Sequence, residues 1–374
     1  MTQKTSQANG LAYKDAGVDY SKIDPLKISA QQAARETAGN LAGLGYREIA
    51  ASRGESAYVV DMGDVLLASI TECLGTKVLI ADAMRAVTGK TYFDNLAQDT
   101  LAMAINDIIT VGATPMSVQA YWAAGSSAWF DDKERARDLV QDWKAACDRC
   151  GVTWGGGETP SLGGVVEANT IDLAASCIGV IKPRERLTLQ DKLAAGDNIV
   201  LLAASGIHAN GVSLARKLAT QIEGGYSAKL SDGRLYGDAL LDATVLYSPA
   251  TEALFAAGII PHYIANITGH GWRKIMRHAA ELTYRFHTVP PVPPVLAFIQ
   301  QNVGMSDTDA YGTFNMGAGF ALYVDAKDAD KTVAVAKAAG FEAWNAGVVE
   351  AGAKSVVIEP LDVIFTADDM HLRA

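Results

Sequence analysis

The sequence predicts an α/β (α+β) protein of two domains, and three observations predict it. The chain has 374 residues, beyond the roughly 100–200 that one domain usually holds. It is 49% hydrophobic and 20% charged with 35 Gly, a composition that builds large buried cores and excludes disorder, collagen and coiled coil. Apolar runs of strand length alternate with segments of helical periodicity through both halves.

Residues 1–45 read as an N-terminal arm, with a polar start, the stretch 13–19, and a helix through Arg35 that ends near Gly39. Residues 46–181 read as one domain, with strands over 65–70, 118–123 and 171–181 and helices over 76–86, 96–111 and 133–149. The charged run Lys182-Pro183-Arg184-Glu185-Arg186 leads to a Gly196-Asp197 turn, which marks a junction to a second domain over 182–374. That domain is expected to hold a strand over 198–203, helices over 211–221 and 238–257, a Pro-rich connector over 290–294 and a strand over 320–324.

With 32 basic and 42 acidic side chains the formal charge is −10, so no global positive field is available for a nucleic acid, and any phosphate must be bound locally. The four cysteines, Cys73, Cys147, Cys150 and Cys177, make no disulfide framework and suit a reducing compartment. Cys147 and Cys150 form a CxxC without a second pair, which spacing on an amphipathic helix explains as well as a metal does. No signal-peptide core and no apolar run of about 18 residues is present. A cytoplasmic protein that binds neither nucleic acid nor membrane is expected.

Candidate chemistry begins on the helix over 96–111. At about 100° per residue, Asp99, Met103, Asn106 and Asp107 share one side, opposite Leu101, Ile105, Ile108 and Ile109. Asn106 and Asp107 beside small Ala102 could supply oxygen ligands with room for a hydrated Mg²⁺; the competing reading is a polar side that faces water. Gly155, Gly156 and Gly157 followed by Glu158 and Thr159 could let backbone N–H groups approach a phosphate while Glu158 meets a metal, and a tight turn competes. Ser205, Gly206, His208 and Asn210 lie in a turn between a strand and a helix, where helix N–H groups favour an anion. Two further glycine turns carry Thr268, Gly269 and His270, and Asn315. Thr88-Gly89-Lys90-Thr91 ends like a P-loop, but Met84 stands where the first glycine is required.

Taken in order, these segments resemble the aminoimidazole ribonucleotide synthetase (phosphoribosylformylglycinamidine cyclo-ligase) family over nearly the whole chain. The family's YKDAGVD stands at 13–19, its TDGVGTK is similar to TECLGTK at 71–77, and its DLVAMxVND is similar to DTLAMAIND at 99–107. GGET is kept at 156–159, SSGxHSNG is similar to ASGIHANG at 204–211, and HLTGGG is similar to NITGHG at 266–271. The family's YRTFNxGVGM is similar to the segment 311–320.

The resemblance implies a two-domain fold whose N-terminal strands form a barrel across a homodimer, binding a small nucleotide substrate. It also implies ATP-dependent ring closure of formylglycinamidine ribonucleotide, with ATP and Mg²⁺ near the subunit boundary. It assigns catalysis to Lys77, Asp107 and His208. ATP would meet Lys14, Asp15, Gly75, Thr76, Gly156, Gly157, Thr159, Ser205, Gly206, Asn210, Thr268, Gly269 and Asn315. Metal ligation would fall to Glu72, Asp99, Asn106, Asp107 and Glu158.

The chain departs from the family pattern at Glu72 for Asp, Cys73 for Gly, Asn266 for His and His270 for Gly, and GGET is followed by PSLGG. Two alternatives follow from those departures: a relative that phosphorylates another small substrate, as thiamine monophosphate kinase does, and a nucleotide-binding subunit without catalysis. Selenophosphate synthetase needs a reactive residue in its arm, and no Cys precedes Cys73.

Overall fold

The computed structural model describes residues 20–189 and 192–369, so Lys14 and Asp15 lie outside the described residues. The first part opens with α1 (Tyr20–Glu36) and builds a six-stranded sheet from β1 (Arg47–Glu48), β2 (Tyr58–Asp61), β3 (Leu66–Cys73), β4 (Thr114–Ala124), β5 (Thr153–Glu158) and β6 (Ile171–Ile181). Their spatial order is β1-β2-β3-β6-β4-β5. Helices α2 (Val78–Thr88), α3 (Phe93–Ile108) and α4 (Lys133–Cys150) alternate with the strands, and α3 packs on β3 and β6 with α4 behind it.

β6 shows why the sheet forms. Ile171, Leu173, Ala175, Cys177 and Ile181 are buried under α3, while Asp172, Ala174, Ser176, Ile178 and Val180 on the other face are only half-buried. β5 runs parallel to β4 at the sheet edge. Gly157 is required there because a Cβ would fall 2.1 Å from the Ala120 carbonyl oxygen.

The second part is a seven-stranded sheet of β7 (Asn198–Ala203), β8 (Tyr263–Asn266), β9 (Leu282–Phe286), β10 (Ala318–Val324), β11 (Ala343–Ala351), β12 (Ser355–Ile358) and β13 (Val363–Thr366). The order is β13-β12-β9-β11-β7-β10-β8. Around it lie α5 (Val212–Ala219), α6 (Tyr236–Leu240), α7 (Ser248–Ala256), α8 (Pro294–Val303), α9 (Asp307–Tyr311) and α10 (Ala329–Ala338). All seven residues of β10 are buried, so this strand reads as a continuous apolar run.

The expected helix over 238–257 is instead two helices, α6 and α7, separated by a non-helical segment over 241–247. Pro249 lies in the first turn of α7, where a proline is tolerated and a continuous helix is not. The backbone of 241–247 bonds to α3 side chains. The expected helix over 96–111 ends as α-helix at Ile108 and continues as a 3-10 turn over Ile109–Val111.

The CxxC belongs to the core: Cys147 and Cys150 are buried free thiols, and burial pushes Cys150 up to about 12. No helix among the described residues is long and apolar enough to cross a membrane.

Candidate functional site at the seam between the two sheets

The polar side of α3 faces the second sheet's domain, not water. Asn95 and Gln98 donate to the carbonyls of Leu241 and Thr244 at 2.8 and 2.7 Å. Asp99 accepts from the Thr244 N–H at 2.7 Å and from its hydroxyl at 2.5 Å. Asn106 donates to the Val245 carbonyl at 2.8 Å and accepts from the Tyr247 N–H at 2.9 Å. The stripe 95, 98, 99, 102 and 106 is one face of a helix, and fully buried Ala102 lies in it.

Lys77 and Asp99 both have side chains with no exposure and pair at 2.7 Å. Burial raises the Asp99 carboxyl, and the Lys77 ammonium opposes that shift. The ammonium also donates to the carbonyls of His208 at 3.0 Å and Asp242 at 2.9 Å. Three expected site residues meet in this cluster: Lys77 bridges the two halves, and Asp99 and Asn106 bond to the backbone of 241–247.

His208 is likewise placed in the structure's interior. It is 4% exposed, its Nε2 accepts from the Ser205 N–H at 3.2 Å, and burial together with Lys77 holds its imidazole down to about 3. Asn315 is also occupied, donating to the Gly206 carbonyl and accepting from the Gly317 N–H, both at 2.9 Å. The Ser205 hydroxyl donates to the Ala243 carbonyl. Ser205, Gly206, His208 and Asn315 thus stitch two turns together.

Asp107, one residue round from the clamp, reaches open space. It accepts from the Asn266 side-chain amide at 2.7 Å and lines a cavity of about 280 Å³ with Glu72 from the end of β3. Burial, then the nearby Asp107 charge, raises the Glu72 carboxyl to about 7. The same cavity is lined by Lys27 and Gln31 from α1 and by Lys274 and Arg277 from the turn after β8. Burial and Arg277 bring the Lys274 ammonium down to about 8, against the pull of Asp107 and Glu72. Asn210, Thr268, Gly269 and His270 complete the wall.

Of the expected site residues, then, the cavity assembles Glu72, Asp107, Asn210, Thr268 and Gly269. Lys27, Lys274 and Arg277 escape the sequence reading, although His270, Lys274 and Arg277 recur at i, i+4 and i+7, the spacing of one helical face. Gly75 and Thr76 lie in the turn after β3, with the Thr76 and Ser213 hydroxyls 3.4 Å apart across the seam. Gly156, Gly157, Glu158 and Thr159 are exposed at the β5 edge and do not line the cavity.

Among the described residues, no group of three or more His, Cys, Asp or Glu side chains is placed to hold a metal. The five-residue metal set is therefore not assembled. Glu72 and Asp107 alone fit Mg²⁺, which is commonly held by one or two carboxylates with phosphate oxygens and water completing its shell.

A second cavity of about 310 Å³ over α3 and α6 contains Asp138, Asp238 and Asp242. These carboxylates are already bonded to Thr91, Tyr92 and Arg234 respectively.

Residues 54–181 match the N-terminal domain of AIR synthase related proteins, and residues 194–359 match their C-terminal domain. The chain is 32% identical over 360 residues to a phosphoribosylformylglycinamidine cyclo-ligase of Paraburkholderia xenovorans strain LB400, covering 93% of this chain and 95% of that protein. It is 32% identical over 345 residues to a protein of the same name from Methanococcus vannielii, covering 91% and 92%. Among solved structures, hydrogenase maturation protein HypE in complex with ATP aligns with a TM-score of 0.57 at 18% identity, over 80% of this chain and 83% of that one. That likeness is one of fold.

Proposed function

The chain belongs to the AIR synthase related protein family, and on that premise we propose that it closes the imidazole ring of aminoimidazole ribonucleotide in purine biosynthesis, in the cytoplasm, at the expense of ATP. ATP phosphorylates the formyl oxygen of formylglycinamidine ribonucleotide, the amidine nitrogen attacks that carbon, and the carbon–oxygen bond to phosphate breaks. The products are aminoimidazole ribonucleotide, ADP and inorganic phosphate.

The observation that carries this reading is the cavity at the seam, which Glu72 and Asp107 line together with Lys27, Lys274 and Arg277. In-line phosphoryl transfer depends chiefly on positioning and charge compensation. Glu72 and Asp107 would hold Mg²⁺, which neutralises developing charge on the transferred group. Asn266 orients Asp107 through its amide bond, and the three cationic side chains bind phosphate oxygens as point charges or a planar fork. Asp99 and Asn106 are explained by domain docking, so the catalytic argument rests on Glu72 and Asp107.

We further propose a homodimer closed through the first sheet. Its support is the half-buried face of β6, with small Ala174 and Ser176 at its centre, and the exposed glycine edge of β5, which would bring Gly156, Gly157, Glu158 and Thr159 to the subunit boundary. Light scattering that returned a single-chain mass would remove this part of the proposal.

A second reading, phosphorylation of another small substrate, is favoured by the side chains that replace smaller or different ones on the acceptor side, Asn266 and His270. Release of ADP from purified protein decides between them. The proposed activity predicts ADP release that depends on formylglycinamidine ribonucleotide and not on thiamine monophosphate. No ADP release with either substrate would favour a subunit without catalysis.

A further inference from the structure

We propose that Thr268 is a positioning residue of the cavity: its hydroxyl keeps the Lys274 ammonium off the Glu72 and Asp107 carboxylates, which leaves the carboxylates for the cation and the ammonium for a phosphate oxygen. Thr268 thereby serves the cation site proposed above at Glu72 and Asp107, on which its role rests. The end of β8 supplies the geometry. The Ile267 N–H donates to the Gly319 carbonyl at 2.9 Å and the Gly271 N–H to the Thr268 carbonyl at 3.0 Å, so the backbone that carries Thr268 is held on both sides. Lys274 returns to the same place from the 3-10 turn Gly271–Met276, in which Trp272, Ile275 and Met276 are wholly buried. Its Nζ donates to the Thr268 hydroxyl at 2.5 Å. Two residues before Thr268, the Asn266 side-chain amide donates to Asp107 at 2.7 Å. Two neutral side chains at one strand end thus hold an ammonium and a carboxylate, each by its own bond.

Electrostatics alone would not keep these charges apart. Lys274 lines the cavity with Glu72 and Asp107, and both carboxylates act on its ammonium. A lysine ends in a compact charge on a flexible four-carbon stem, which at close range is drawn onto a carboxylate. Among the described residues Lys274 makes no such ion pair, and its hydrogen-bond partner is Thr268. A pair with Glu72 or Asp107 would set the ammonium against Mg²⁺ for the same oxygens, and it would occupy donors that a phosphate needs. An ammonium has three N–H donors. With one on Thr268, the others remain for phosphate oxygens in the cavity. The carboxylate lone pairs remain for Mg²⁺, whose shell commonly takes one or two carboxylates with phosphate oxygens and water. Both ATP and the ribonucleotide acceptor carry such a phosphate, and separate titrations tell them apart.

The test uses the full chain, Thr268→Val, Thr268→Ser, Lys274→Met and the double variant Thr268→Val/Lys274→Met. Calorimetry gives the dissociation constants of ATP and of formylglycinamidine ribonucleotide at saturating Mg²⁺, and the Mg²⁺ concentration that half-restores ATP binding; melting is followed without ligand. We expect Thr268→Val to melt close to the parent, to need several-fold more Mg²⁺, and to bind one of the two ligands about tenfold more weakly, as loss of one hydrogen bond does. The weakened ligand is the one whose phosphate meets Lys274. Thr268→Ser keeps the hydroxyl and should recover both readings. In the Lys274→Met background, Thr268→Val should change either affinity by less than about twofold, because no ammonium is left to place. Should valine lower the melting temperature, Thr268→Ala gives the same readings without the added methyl. Unchanged Mg²⁺ demand and unchanged binding of both ligands in Thr268→Val would overturn the proposal. An equal loss in the Lys274→Met background would overturn it too, since Thr268 would then act on the ligand itself. None of these readings needs turnover: a parent without acceptor-dependent ADP release overturns the ring closure alone, whereas ATP binding by the parent that ignores Mg²⁺ overturns the cation site and this role of Thr268 with it.

Discussion

Replacing Asp107 by Asn is expected to lower turnover by about 10²–10³, the scale on which loss of one electrostatic catalytic group is felt. Folding should be nearly untouched. Asp107 is 7% exposed and its Oδ1 accepts from Asn266, a bond that the asparagine carbonyl oxygen reproduces while its amide takes the place of the second oxygen. The stability change should stay within about 0.5 kcal/mol, as for a substitution that creates neither a void nor an orphaned buried group. Loss of the charge also removes one cause that holds the Glu72 carboxyl high, so the remaining carboxylate ionises more readily and still cannot supply the missing charge. Thermal melting without ligand and turnover at saturating ATP and Mg²⁺ check the pair of expectations. Unchanged turnover would take Asp107 out of the site.

A comparably large effect of the opposite kind is expected at Lys77 and Asp99. Both side chains are wholly buried, and the pair spans the seam through Thr244, His208 and Asp242. Removing one partner leaves a buried charge without compensation, which typically costs about 3–5 kcal/mol. Asp99→Asn and Lys77→Met should each lower the denaturant midpoint accordingly. The double variant should recover part of the loss, because no uncompensated charge remains. A catalytic Lys77 predicts the reverse pattern, in which turnover is lost and the midpoint stays. Full stability in both single variants would contradict the clamp.

These two residues show where sequence reading reaches and where it stops. The polar stripe of α3 is visible in the sequence because helical periodicity is local, and β6 is visible because Ile171–Ile181 is a mostly apolar run of strand type. What the stripe meets is not local. Thr244 lies 145 residues beyond Asp99, and the segment that carries it has a composition that reads as helix. The side of α3 read as a place for a hydrated cation is therefore met by the protein's own backbone for most of its length, and Met103 and Asp107 line the cavity.

The burial of His208 is equally out of reach of the sequence: a histidine in a polar turn has the same appearance whether its ring is exposed or, as here, lies at 4% exposure beside a buried ammonium. Lys274 and Arg277 pass unread because they follow a glycine turn in a short 3-10 segment, Gly271–Met276, too brief for periodicity to stand out. The motif order carries the family where the chemistry of single residues does not.

In the proposed mechanism the triphosphate is held at the seam through a cation on Glu72 and Asp107. Calorimetric titration of ATP into the purified protein, in excess Mg²⁺ and again in excess EDTA, tests it most directly. With like charges a few ångströms apart, unbridged carboxylates and phosphates repel. Clear binding with Mg²⁺, loss of most of that affinity in EDTA, and weak binding by Asp107→Asn under both conditions are expected. Undiminished ATP affinity in EDTA would contradict it.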